Sequence, residues 1–178
     1  DADALSKALT DGSLDMAAPV SASTATGLNG KDGLTVKEGA TTDKVLLAYN
    51  NGTDSLLSDE QARKAFRYQI DAAGIASAQP DAAGALGGPI SLLEPGYEDL
   101  TGLYPHDENQ AGQMFSYFGA QYLTTVNLVV PEEYRSLAET IKQQIERQPR
   151  PTVNLEVLSD EDYAKRIKDG KWELTGMS

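Results

Sequence analysis

The chain has 178 residues, enough for one sizeable core and short for two, so a single domain over residues 1–178 is expected. Fifteen basic residues against 27 acidic ones give a net charge of -12, which repels phosphate backbones and anionic lipid and argues against nucleic-acid or membrane-surface binding. The absence of cysteine excludes disulfides, thiolate metal sites and cysteine catalysis.

Residues 1–11 read as a short amphipathic helix with Ala4, Leu5, Ala8 and Leu9 on one side, closed at Gly12 in the position of a left-handed cap. Leu14 to Ala17 follows as a short strand. Residues 20–33 are rich in Ser, Thr, Gly and Ala, bury little, and are expected at the surface with no more than a turn of helix. Leu34 to Glu38 alternates apolar and polar residues as a half-buried strand does. Val45 to Tyr49 is an unbroken apolar run, the pattern of a strand buried on both faces inside a sheet. Asn50, Asn51 and Gly52 end it, because they tolerate left-handed backbone angles.

Ser58 and Gln61 have the spacing of a capping box, which starts a helix at about Asp59. Its apolar stripe, Ala62, Ala65, Phe66 and Ile70, faces the sheet, with Arg63, Lys64 and Arg67 mostly opposite. A second short helical segment covers Ala72 to Ala78, and Pro80 to Gly88 is a loop. The proline- and glycine-rich stretch from Gly87 to Pro105 carries Ile90, Leu92, Leu93, Tyr97, Leu100, Leu103 and Tyr104, which predicts a loop packed against the body. Asp107 caps a helix to about Phe118, with Ala111, Met114, Phe115 and Phe118 inward and Gly119 closing it.

Tyr122 to Val130 is the next strand. Pro131 sits in the first turn of a helix striped by Tyr134, Leu137, Ala138, Ile141 and Ile145, and Pro149 and Pro151 stop it. Thr152 to Leu158 alternates and buries one face. Ser159 caps a helix over Asp160 to Asp169, Gly170 closes it, and Lys171 to Met177 is the last strand. The end of the chain repeats its beginning: DALSKALTDGSLDMA and DYAKRIKDGKWELTG are each a short helix, then Asp-Gly, then a strand. Strands alternating with helices predict an α/β sheet covered by helices and linked by crossovers.

A catalytic set does not emerge from these elements. His106, the one histidine, stands in a Pro-His-Asp-Glu loop without a serine in a strand-turn-helix elbow nearby. Asp59 and Glu60, Glu132 and Glu133, and Asp160 to Asp162 all fall in first turns of predicted helices, where carboxylates complement the helix dipole. The glycines of GLNGKDG and GALGG lack the strand-before, helix-after setting of a phosphate loop. Asn51-Gly52-Thr53 matches a glycosylation triplet, a frequent chance match. Tyr97, Tyr104 and Tyr134 lie in or beside loops, with packing as their first reading.

The stretch LLAYNN followed by LSDEQARKAFRYQIDAAGI resembles a family pattern: a buried strand ending in asparagine, Asp-x-x-x-Arg-x-Ala, then a tyrosine and Ile-Asp before a second helical segment. That pattern belongs to the extracellular solute-binding proteins of family 5, the peptide, dipeptide and nickel class that delivers ligands to ABC importers. ALSKALTDGSLDMA is similar to the family's helix-Gly-strand motif, and GGPISLLEPGYEDLTGLYPHDENQAGQMFSYFGA to its Gly-Pro, Pro-Gly-Tyr and Tyr-Pro-x-Asp loop with the helix after it. YLTTVNLVVPEEYRSLAETIKQQIE resembles its strand and long helix, and VNLEVLSDEDYAKRIKDGKWEL its closing strand, helix and strand. The five stretches fall in family order and cover nearly the whole chain. Residues 67–70 and the polar GQMFSYFGAQ depart from the usual pattern, which bears on the ligand rather than on the fold.

The resemblance implies one lobe of a two-lobed, periplasmic-binding-protein-like (type II) fold, with a mixed sheet flanked by helices. Residues 1–178 would be the second lobe, from just after a hinge crossing at Asp1 to just before a ligand-facing loop after Ser178. It implies an extracellular or periplasmic, non-enzymatic, cofactor-free binding protein, with a peptide or other small-molecule ligand, an ABC permease and a first lobe of the same polypeptide as partners. Membrane contact would run only through a lipid anchor outside this sequence. By the same resemblance the ligand-binding residues are Leu46 and Ala48 on the strand after Lys44, Val130 and Tyr134 at a strand-to-helix junction, and Thr175, Gly176, Met177 and Ser178 at the end of the chain. A plain core role stands beside this for Leu46, Ala48 and Val130. Two alternatives to transport stand as well: a sensor or interaction domain of the same fold, and a hydrolase.

Overall fold

Strand pairing organises the molecule, a computed structural model that describes the backbone of residues 1–122 and 124–178 and the side chains of residues 1–117 and 124–178. β1 (Leu46–Tyr49), β2 (Thr125–Pro131), β3 (Thr152–Leu158) and β4 (Leu174–Met177) form one mixed sheet in the order β1-β4-β2-β3. β2 runs parallel to β3 from Thr125↔Thr152 to Pro131↔Leu158, and parallel to β4 at Leu128↔Leu174 and Val129↔Thr175. β1 closes the other edge antiparallel to β4.

Around the sheet run α1 (Ala2–Asp11), α2 (Ala22–Leu28), α3 (Glu60–Gln69), α4 (Ala72–Ser77), α5 (Glu108–Tyr122), α6 (Arg135–Ile145) and α7 (Asp160–Lys168). The β2-α6-β3 and β3-α7-β4 crossovers travel in opposite directions along the sheet, so two connections of one hand put α6 and α7 on opposite faces. Side chains alternate along each strand. Val126, Leu128, Val130 and Leu174 meet α3, α5 and α6 in a single core with Phe66, Phe115 and Ile145. The Phe66 and Phe115 rings stand edge to face with centroids 5.1 Å apart, a favoured aromatic geometry. Tyr49 packs beside Phe66 at 6.3 Å, and burial pushes its phenol up to about 12 against the opposing pull of Arg67.

Buried amides tie the ends of three helices together. Gln69 Nε2 donates to the Gln144 carbonyl at 2.6 Å, and Gln148 Nε2 donates to Gln69 Oε1 and to the Glu108 carbonyl, both at 2.8 Å. Gln144 Oε1 accepts from the Asp71 amide at 2.9 Å. Such groups are stable in a core only when paired. Arg67 anchors the long loop, donating to the Gly87 carbonyl at 3.2 Å and lying 5.3 Å from the Tyr104 ring centroid, while Tyr104 meets Tyr68 edge-on. Lys44 pairs with Glu94, which also accepts from the Ser91 amide, and these bonds hold the Glu94 carboxyl down at about 2.

Several elements differ from the sequence expectation. β1 is an edge strand starting at Leu46; all four of its residues are half-buried and Val45 is 51% exposed, because the strand has a partner on one side only. Leu14 to Ala17 and Leu34 to Glu38 are without a strand partner among the described residues and form no ladder. Asp59, not Ser58, caps α3 by accepting from the Gln61 amide at 2.7 Å, since Leu56–Ser58 is already a 3-10 turn capped by Ser55. α5 continues past Gly119 to Tyr122, an interior glycine costing only about 1 kcal/mol, and β2 starts later, at Thr125; the inward Phe118 expected from the stripe lies outside the described side chains. Pro131 ends β2, with a 3-10 turn over Glu132–Tyr134 before α6. β4 is shorter than Lys171 to Met177. The loop after Gly87 packs only in part, leaving Ile90, Leu92, Leu93 and Leu103 exposed. β3, α1, α4 and α7 match their expected spans to within a residue or two, and α2 is two turns where one was expected.

Candidate functional site

Three parallel strands, β2, β3 and β4, end on the same side of the sheet, at Pro131, Leu158 and Met177. β1 runs the other way, so its first residue arrives there: Leu46 pairs with Met177 and Ala48 with Thr175. Val130 and Tyr134 reach the same place from the end of β2 and the turn after it. A Cβ on Gly176 would stand 3.5 Å from Tyr134 Cδ2 and 3.6 Å from Val130 Cγ1, so the tyrosine ring lies against the β4 backbone where glycine leaves room. The eight residues expected from sequence thus share one sheet edge, with Ser178 next after Met177.

Their exposure divides them. Met177 and Ser178 are exposed, and Leu46, Ala48 and Tyr134 are half-buried. Val130, Thr175 and Gly176 are buried, and what they contribute at this edge is position. Thr175 in particular is engaged from both sides: its hydroxyl donates to the Val129 carbonyl at 2.6 Å and lies 2.8 Å from the Tyr163 hydroxyl, which also reaches the Gly176 carbonyl at 3.0 Å. Tyr163 therefore ties α7 to β4 directly beneath the edge. Sequence reasoning missed this role, because a tyrosine on the inward stripe of a short helix looks the same whether it fills space or bonds.

Acidic first turns frame the edge. Glu132, just after β2, is held by Arg135 through bonds of 2.7 and 2.8 Å, which lower its carboxyl from the ordinary value. Asp160, Glu161 and Asp162 open α7, where Ser159 caps by accepting from the Asp162 amide at 3.2 Å. These carboxylates complement the helix dipoles. A polar cleft of about 1020 Å³ lies elsewhere, beside α7, and none of the eight residues lines it. Two of the carboxylates on its walls are engaged: Glu156 pairs with Arg166, and Glu173 accepts from the Asn127 amide at 2.6 Å. His106 Nε2 stands 3.5 Å from Glu108, which also pairs with Arg147, and Asn51 accepts from Arg63 at 2.7 Å. No cluster of three or more His, Cys, Asp or Glu side chains is arranged to hold a metal ion among the described residues.

A family model described as bacterial extracellular solute-binding proteins, family 5 Middle, matches residues 1–178. The chain belongs to this family. Among curated protein sequences, none matches this family 5 chain. Solved structures similar to it include the oligopeptide-binding protein AppA from Bacillus subtilis in complex with a nonapeptide, at 16% identity and a TM-score of 0.70, covering 99% of this chain and 38% of that one. NikA from Brucella suis in complex with Fe(III)-EDTA aligns at 15% identity and a TM-score of 0.76, covering 99% and 39%. HbpA2 from Haemophilus parasuis aligns at 17% identity and a TM-score of 0.74, covering 99% and 36%. The family 5 chain therefore spans less than two fifths of the length of those proteins. Its mixed sheet flanked by helices is one part of the two-lobed, periplasmic-binding-protein-like fold they share.

Proposed function

We propose that the chain is the second lobe of the extracellular substrate-binding component of an ABC importer, with oligopeptides as the ligand class and no catalytic activity of its own. Family membership supports the binding-protein reading, and the bound nonapeptide of the AppA relative supports the ligand class. The observation that carries the site is the gathering of Leu46, Tyr134, Met177 and Ser178 at the carboxyl ends of three parallel strands, the place where α/β sheets collect ligands. These four offer the contact surface. Ala48, Val130, Thr175 and Gly176 hold it in place from below.

One lobe supplies half a site. A ligand that bridges this edge and the first lobe shifts the equilibrium toward the closed form, by its differential affinity for that form. The permease, the first lobe, an extracellular or periplasmic location and a lipid anchor belong to the same reading. Calorimetric titration with oligopeptides tests it. The longer polypeptide should bind, Tyr134→Ala should weaken binding by about tenfold, equal to about 1.4 kcal/mol, and the 178-residue chain alone should show no binding in the micromolar range. Micromolar or tighter binding by this chain alone would overturn the half-site, and turnover of ester or peptide substrates would overturn the binding-protein reading in favour of a hydrolase.

A further inference from the structure

Asn29 and Asn51 each precede a glycine, and the fold treats the two pairs differently. An asparagine in this position is open to attack on its side-chain amide by the next backbone nitrogen, because glycine has no Cβ to restrict the approach. Asn29, Gly30, Asn51 and Gly52 are all exposed, so access to water does not distinguish the pairs. Hydrogen bonding does.

The second pair is held at both reacting ends. Asn51 Oδ1 accepts from Arg63 Nη1 at 2.7 Å, and the same nitrogen is fixed to the Leu57 and Ser58 carbonyls at 2.8 and 2.9 Å. The Gly52 N–H donates to Asn50 Oδ1 at 2.9 Å, and Asn50 Nδ2 is anchored on the Gly170 and Trp172 carbonyls at 3.1 and 2.8 Å. Arg63 also draws electrons from the Asn51 amide, which favours attack. Position outweighs this, since displacing a reacting group by about 1 Å costs about a hundredfold in rate. At the first pair, the Asn29 N–H closes α2 on the Ala25 carbonyl at 2.9 Å, but neither the Asn29 side chain nor the Gly30 N–H has a hydrogen-bond partner among the described residues. Residues 29–33 are exposed throughout, with Gly30 (φ 80°) and Gly33 (φ 77°) both in the left-handed region.

We propose that Asn29 is a site of spontaneous deamidation and that Arg63 and Asn50 protect Asn51 from the same reaction. The Gly30 nitrogen gives its proton to water and bonds to Asn29 Cγ; the bond from Cγ to the side-chain nitrogen breaks, and that nitrogen takes up a proton and leaves as ammonia. Water then opens the five-membered succinimide at either of its carbonyls, leaving an aspartate or an isoaspartate at position 29. The new carboxylate stands at the C-terminal end of α2, where it opposes the helix dipole. The isoaspartate form also adds a methylene to the backbone next to Leu28, which is buried. Arg63 and Asn50 thereby have a chemical task besides their structural one. The proposal is independent of the lobe and of its ligand.

Peptide mass mapping of the longer polypeptide, aged at neutral pH folded and in urea, tests it. Deamidation raises the mass of a peptide by a single unit, which isomerisation at the nearby Asp32-Gly33 pair does not. In urea both asparagines should react at similar rates. In the folded protein Asn29 should keep its urea rate, and Asn51 should react at least about tenfold more slowly. Arg63→Ala should bring Asn51 toward the rate of Asn29 and leave Asn29 unchanged. Asn50→Ala, which frees the Gly52 N–H, should do the same; should neither variant fold, the folded-to-urea ratios of the wild type decide. Equal rates at Asn29 and Asn51 in the folded protein would overturn the protection, and an Asn29 slowed tenfold by folding would overturn the site. A folded Arg63→Ala variant whose Asn51 stays slow would remove Arg63 from the proposal.

Discussion

On the sheet face covered by α3, α5 and α6, the strands present Val126, Leu128, Val130 and Leu174, none more than 2% exposed and all in one apolar cluster with Phe66 and Phe115. On the face covered by α7 they present one buried apolar side chain, Val129, among Asn127, Asn154, Glu156 and Thr175, which are joined to their surroundings by hydrogen bonds and an ion pair. The first face is held by filled volume, which is strong and without direction. The second is held by directional bonds of modest net worth, because each replaces a bond to water. Stability thus resides mainly on the α5 side. Placement of the sheet edge against a helix resides on the α7 side, where Tyr163 and Thr175 set the distance between α7 and the end of β4.

Truncation of the apolar face gives the largest effect. Phe66→Ala removes a ring that is 0% exposed and should lower unfolding stability by about 3–5 kcal/mol, read from the urea denaturation midpoint. A loss below about 1 kcal/mol would mean that this cluster is not the core. On the other face Thr175→Val keeps the volume and deletes one hydroxyl, leaving the Val129 carbonyl without that donor. The expected loss is about 1–2 kcal/mol, with about 1 kcal/mol for Tyr163→Phe. Because the two hydroxyls are bonded to each other, the double variant should lose less than the sum. Strict additivity would show that the hydroxyls act separately and would remove the distinction between a space-filling and a bond-directed face.

Local signals were legible in the sequence, and the number of neighbours an element has was not. Thr152 to Leu158 alternates and is followed by a serine cap, and both β3 and α7 match their expected bounds because alternation and capping are settled within a few residues. The run from Val45 to Tyr49 reads as a central strand, yet whether a strand has one neighbour or two is decided by chain far from it. The same holds for Leu14 to Ala17, whose pattern is that of β4 and whose surroundings are not. Gln69 is polar and outside the apolar stripe of its helix, yet it is buried, because Gln144 and Gln148 arrive from more than seventy positions away to pair with it. For the candidate site, the family resemblance picked out one sheet edge, and the register brings those residues together. Thr175 and Met177 share one face of β4, and Thr175 is sealed off because Tyr163 of α7 reaches it, a helix position the sequence did not specify.

The smallest effect falls on the rim of the polar face. Glu156 pairs with Arg166 across the edge of β3, each side chain about 30% exposed, and also accepts from Asn154 at 3.3 Å. Water reaches both partners, so the attraction is screened and offset by the cost of fixing two long side chains. Glu156→Gln should therefore change stability by less than about 1 kcal/mol at low salt. Raising the ionic strength from about 0.01 to 1 M shortens the screening length from about 30 to about 3 Å, and the difference between wild type and variant should shrink toward zero over that range. The Thr175→Val difference should stay constant in the same titration, since no net charge is involved. A loss at Glu156 that is large and independent of salt would place this pair in a dry setting and give the α7 face a buried electrostatic anchor in place of a hydrogen-bonded one.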